Sequence, residues 1–134
     1  MTEEGTSTDL DQQVLELEKF IGNTPLFPIT GVFNKPNVKI FAKLEWQQLS
    51  GSVKARPAYN IFKTAIRNGE LKKGMKLVDA SSGNTAIAYA TIGAKLGIGV
   101  TICMPETASV ERVDILKNLG ADLVLTDAVG VSEV

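Results

Sequence analysis

The 134-residue chain contains no histidine. That excludes Ser-His-Asp and Cys-His nucleophile systems, HExxH zinc sites and histidine-based metal cages. Cysteine occurs once, at Cys103, so neither an internal disulfide nor a CxxC metal or redox site can form. A lone thiol fits a reducing compartment. Long apolar runs are also missing. The longest, Ala86 to Ala94, stops at Lys95 and is too short to span a bilayer. Met1-Thr2-Glu3-Glu4 offers neither a basic nor an apolar leader, so no secretory signal and no membrane partner is expected, and the cytoplasm is the expected compartment.

What is present is ordinary in bulk. Hydrophobic residues make up 44% and charged residues 22%, the balance of a folded globular chain rather than a disordered one. The length suits one domain with its own core. The charge is unevenly placed. Residues 1–20 hold six acids (Glu3, Glu4, Asp9, Asp11, Glu16, Glu18) against Lys19 alone, and the rest of the chain is mildly basic. The basic residues are scattered, without a run or interleaved aromatics, so a solvated surface is expected and no nucleic-acid partner.

Periodicity predicts alternating strands and helices. Thr8 followed by Asp11 resembles a cap ahead of Val14, Leu15, Leu17 and Phe20, which predicts a short helix over 9–20, broken by Gly22-Asn23-Thr24-Pro25. Val38 to Leu44 alternates with period two and reads as a strand. Ser52 can cap a helix running to Asn68, with Ala58, Ile61, Phe62, Ala65 and Ile66 as its apolar stripe. Strands follow at Lys76–Ala80, Gly99–Met104 and Ala121–Leu125. Helices are expected at Asn84–Leu96, closed by Gly97, and over 110–119, capped by Ser109. This order predicts an α/β fold with a four-stranded parallel sheet flanked by helices. Ligands in such sheets bind at the strand carboxyl ends, here the loops Glu45–Ser52, Ser81–Thr85 and Pro105–Ser109.

Two of these loops carry candidate chemistry. Lys54 stands at the start of a helix, where the macrodipole and burial both depress an amine pKa and suit it to act as a nucleophile or imine partner. The alternative is a solvated lysine. Ser81-Ser82-Gly83-Asn84-Thr85 opens the next helix, where free backbone N–H groups, hydroxyls and an amide can cradle a carboxylate or phosphate. The alternative is ordinary capping. Neither a Walker loop nor a GxGxxG fingerprint is present.

Six segments in this order resemble the N-terminal part of the pyridoxal-phosphate-dependent cysteine synthase group of fold type II, which also includes cystathionine β-synthase. They are Ile21-Gly22-Asn23-Thr24-Pro25-Leu26, Lys43-Leu44-Glu45, Gly51-Ser52-Val53-Lys54-Ala55-Arg56-Pro57-Ala58, Ser82-Gly83-Asn84-Thr85, Met104-Pro105-Glu106-Thr107 and Gly120-Ala121-Asp122-Leu123-Val124. Val53 before the lysine and the Met-Pro-Glu-Thr loop point toward cysteine synthase rather than the dehydratases.

The resemblance implies pyridoxal 5′-phosphate as cofactor, with no metal. Lys54 would hold it as an internal aldimine and act as base at the substrate Cα. Asn84 would hydrogen-bond the cofactor's ring hydroxyl, and Ser81, Ser82 and Thr85 would take the substrate carboxylate. The implied reaction is β-replacement, making cysteine from O-acetylserine or O-phosphoserine and sulfide. Cystathionine β-synthase or dehydratase-type activity, and an inactive remnant serving as a binding module, are the alternatives. The sequence departs from the family pattern at Gln48-Leu49-Ser50, where Asn-Pro-Gly is usual, at Ala55, where Asp is usual, and at Ser81, where Thr is usual. No Gly/Thr-rich loop for the cofactor phosphate occurs up to Val134. Weak cofactor binding by this chain alone is therefore expected, with a homo-oligomer or a complementing C-terminal half as partner. Residues 1–37 would pack on a second domain, with residues 38–134 as the lysine-bearing α/β domain. Ile21, Leu26, Phe27, Ile29 and Phe33 are then expected to form an exposed apolar patch.

Overall fold

The computed structural model describes residues 4–127, with side chains from residue 9 onward. Thr8 as a capping side chain, and residues 128–134 of the expected second segment, lie outside the described part. Helix α1 (Glu4–Glu16) starts earlier than the expected residue 9 and passes into a 3₁₀ turn over Leu17–Phe20. Strands β1 (Leu26–Ile29) and β2 (Ile40–Lys43) follow, then helix α2 (Ala55–Arg67) and strand β3 (Lys76–Ala80). The chain continues through helix α3 (Asn84–Leu96), strand β4 (Gly99–Pro105), helix α4 (Val110–Asn118) and strand β5 (Asp122–Thr126). No helix among the described residues is long and apolar enough to cross a membrane.

The α/β class and the parallel sheet are found, with one strand fewer than expected. The sheet runs β3-β4-β5, all parallel, with Leu77 opposite Val100 and Ile102 opposite Leu123. The expected first strand does not join it. β2 pairs antiparallel with β1 instead, Pro28 facing Phe41 and Leu26 facing Lys43. Period-two alternation marks a strand but carries no information on its neighbour or direction. Consequently the Glu45–Ser52 loop follows a hairpin strand, not a strand of the parallel sheet.

One continuous core lies on the helical side of the sheet. Along β4, Val100, Ile102 and Met104 point inward and are buried, while Thr101, Cys103 and Pro105 between them are only partly so. Phe62 of α2 and Ile92 of α3 are fully buried, and the Phe62 and Tyr89 rings meet at 6.2 Å in a tilted pair. The buried stripe of α2 is Ala55, Ala58, Tyr59, Phe62 and Ile66, so it is rotated from the expected one: Tyr59 goes in and Ile61 stays exposed. Leu10, Val14 and Leu17 also enter this core, which ties α1 to α2 and α3.

The hairpin is different. Leu26 and Phe27 are 59% and 58% exposed, and Phe33 and Phe41 are exposed as well. Ile29 is half-buried, and Ile21 packs against the core rather than joining the patch. A cavity of about 410 Å³ opens between Pro28, Ile29, Phe33, Val38, Ile40 and Phe41. Two strands alone are marginally stable in water, so this segment depends on what else packs against it.

Candidate functional site

Three loops are the ones expected to carry the site, and polar side chains hold two of them. The first runs from Glu45 to Lys54. Glu45 receives a two-pronged guanidinium: Arg56 Nε donates to Oε2 at 3.0 Å and Nη2 to Oε1 at 2.9 Å. Thr24 Oγ1 donates to Oε1 at 2.7 Å, and Gln48 Nε2 donates to Oε2 at 2.9 Å. Each carboxylate oxygen therefore accepts two hydrogen bonds. These contacts, Arg56 first and then Thr24 and Gln48, hold the Glu45 carboxyl at about 2, against an ordinary 4.5. The backbone N–H of Gly22 donates to Gln48 Oε1 at 2.9 Å, and Lys43 Nζ donates to the Thr24 carbonyl. Gly22 takes φ +81°, a conformation that favours glycine, and a methyl group there would sit 3.1 Å from Arg56 Nη1.

Lys54 ends this loop and stands as N-cap of α2. Helix α2 thus begins three residues after Ser52, the expected cap. Ser52 instead accepts a hydrogen bond from the Lys54 N–H at 3.3 Å, a local turn that leads into the helix. The expected burial of Lys54 is not found. Ala55 and Ala58 turn inward, and Lys54 is left exposed. Among the described residues no hydrogen bond or ion pair holds its ammonium group. No acidic side chain lies in the first turn of α2.

The second loop, Ser81–Gly83, lies at the carboxyl end of β3. The Ser81 N–H donates to the Cys103 carbonyl at 3.1 Å, which extends the β3–β4 ladder into the loop. From α4, Arg112 Nη1 donates to the Ser82 carbonyl at 3.2 Å. Ser81 and Ser82 are half-buried, as is Thr85, while Asn84 is exposed. Gly83 is the N-cap of α3 and no side chain caps the helix there, while the Gly83 N–H donates to Ser81 Oγ at 3.5 Å. The third loop follows β4. Ser109 is the N-cap of α4 as expected, but its side chain makes no capping bond. Ser81, Ser82 and Thr85 are brought together at one sheet edge. Lys54 comes from a separate element, tied to that edge through the packing of α2 on α3.

The Glu45–Arg56 pair is the feature that sequence reasoning missed. Both residues fall in quoted motif segments, but a pairing across a ten-residue loop has no local periodicity to reveal it.

The α/β frame thus presents an unpaired amine at the start of α2 and an N-terminus without a side-chain cap, flanked by hydroxyls, at the start of α3. The pyridoxal-phosphate dependent enzyme family matches residues 17–133, and the chain belongs to it. Cysteine synthase from Aquifex aeolicus (strain VF5) is 46% identical over 112 residues, covering 81% of this chain and 34% of that protein. Cysteine synthase A from Escherichia coli (strain K12) is 46% identical over 107 residues, covering 80% and 32%. The crystal structure of cysteine synthase from Entamoeba histolytica superposes with a TM-score of 0.77 at 43% identity, covering 83% and 34%. The chain spans about a third of the length of these relatives.

Proposed function

We propose that this chain supplies the lysine-bearing part of an enzyme that makes cysteine from an O-activated serine and sulfide. The unpaired, exposed ammonium of Lys54 at the start of α2, in a chain 46% identical to cysteine synthase, is the observation that supports this most. The residues present fit pyridoxal 5′-phosphate: an amine with no competing carboxylate, an amide at Asn84 and open N–H groups at α3.

In this reading Lys54 would hold the cofactor through Nζ and would serve as the base for the proton at the substrate Cα. Bound pyridoxal phosphate supplies an electron sink that stabilises negative charge at that carbon. Asn84 would orient the cofactor through its side-chain amide. Ser81, Ser82 and Thr85, with the first-turn N–H groups of α3, bind the substrate carboxylate and fix the amino acid for reaction. The Cβ–O bond would break with release of acetate or phosphate, and sulfide would add at Cβ. The rest of such an enzyme supplies the phosphate loop and covers Phe27 and Phe33 of the first 37 residues, while residues 38–134 carry the lysine.

The test joins this chain to the C-terminal two thirds of Escherichia coli cysteine synthase A and measures cysteine formed from O-acetylserine and sulfide. Turnover that falls to background in Lys54→Ala supports the reading. Turnover unchanged by that substitution overturns it, and a preference for homocysteine over sulfide would reassign it to cystathionine β-synthase chemistry.

A further inference from the structure

The loop that presents Lys54 is clasped at its base. Glu45 enters it, Arg56 lies two residues beyond Lys54, and the two meet in the two-pronged pair described above. Between Lys54 and Arg56, Ala55 is fully buried, so the backbone carrying the lysine is pinned on both sides of the peptide. Thr24 and Gln48 are 6% and 5% exposed, and they are the buried polar side chains of the described residues. Both spend their hydrogen bonds on Glu45, and Gln48 also ties the loop to the Gly22 N–H. Arg56 is a cation in the first turn of a helix, where the macrodipole opposes it. That placement is tolerated when a carboxylate neutralises it, and the planar fork also fixes direction as a lysine would not.

Resting on the role proposed for Lys54, we infer that Glu45 and Arg56, with Thr24 and Gln48, are positioning residues that set where the Lys54 amine stands. They do not touch the reacting atoms. They act by fixing the turn that carries Lys54 into α2, and a displacement of about an ångström at such a position costs orders of magnitude in reactivity. The departure at Gln48 fits this role: its longer amide spans from Glu45 to the Gly22 N–H, tying the entry of the loop to the Gly22–Thr24 turn.

The test exposes the chain to pyridoxal 5′-phosphate, reduces with borohydride, and maps the fixed pyridoxyl group among the eleven lysines by mass spectrometry. In the wild-type chain Lys54 is the dominant site. Glu45→Gln and Arg56→Lys lower the Lys54 share by about tenfold or more. Glu18→Gln, which alters the separate Glu18–Lys63 pair at 3.0 Å between the 3₁₀ turn and α2, leaves it unchanged. Protection of β4 amides from hydrogen exchange reports that each variant is folded. Should either pair variant lose that protection, Thr24→Val, which removes one donor and keeps the shape, decides, with a severalfold lower Lys54 share expected. Wild-type labelling at Lys54 that persists equally in the folded variants overturns the positioning role and leaves the Lys54 assignment standing. Wild-type labelling spread over other lysines overturns the assignment and the positioning role with it.

Discussion

Gly93 of α3 lies so close to Val100 of β4 that a methyl group on Gly93 would come within 2.4 Å of Val100 Cγ2 and 2.8 Å of the Ile98 carbonyl oxygen. The Ile98 N–H also donates back to the Gly93 carbonyl at 2.9 Å, closing the turn that leads from α3 into β4. Gly93→Ala forces them apart. It is expected to cost about 1–3 kcal/mol, read as a lower midpoint in chemical denaturation. An unchanged midpoint would show that α3 and β4 are less tightly packed than described.

Phe62 is fully buried and forms the ring contact between α2 and α3, the two helices whose starts carry the site. Phe62→Ala is expected to destabilise by about 3–5 kcal/mol. Ile61, one position away but 44% exposed, should tolerate alanine with a change of about 0.5 kcal/mol or less. Equal losses at the two positions would restore the stripe expected from periodicity alone.

That contrast shows what the sequence disclosed and what it hid. Helix α3 is observed over the expected Asn84–Leu96, because an alanine-rich segment between Gly83 and Gly97 has few other solutions. Strand β1 went unread because it is four residues long and contains Pro28, which is tolerated where a ladder bond is not required. The partner of β2 went unread because alternation does not specify it. At the site, Lys54 and the Ser81–Thr85 loop were legible as motifs, whereas the Glu45–Arg56 clasp depends on a fold-generated approach of Thr24, Gln48 and Arg56.

Acid should loosen the clasp in a defined window. The Glu45 carboxyl is held at about 2 in the fold, against 4.5 when free of its partners. The folded chain therefore binds fewer protons there than the unfolded chain. The stabilisation is complete above pH 4.5 and is lost as pH falls toward 2. Asp9, lowered chiefly by its hydrogen bond from Lys73, acts in the same direction. Thermal midpoints should fall more steeply across this range in wild type than in Glu45→Gln. Parallel slopes would contradict the role given to Glu45.

The hairpin should bind hydrophobic surfaces. Leu26, Phe27, Phe33 and Phe41 are exposed, and Phe33 and Phe41 line the cavity of this segment. Dye fluorescence and self-association are expected in the isolated chain, and Phe27→Ser with Phe41→Ser should reduce both. A strictly monomeric wild-type chain that binds no dye would show that this face needs no cover.

The most direct test of the account follows the absorbance of pyridoxal 5′-phosphate as the chain is added, in wild type and in Lys54→Ala. The account predicts a visible band from condensation with an amine in wild type, weak in affinity, and its loss in Lys54→Ala. A band of equal strength in the two proteins would mean that Lys54 is not the residue that holds the cofactor, and the proposed chemistry of this chain would fall with it.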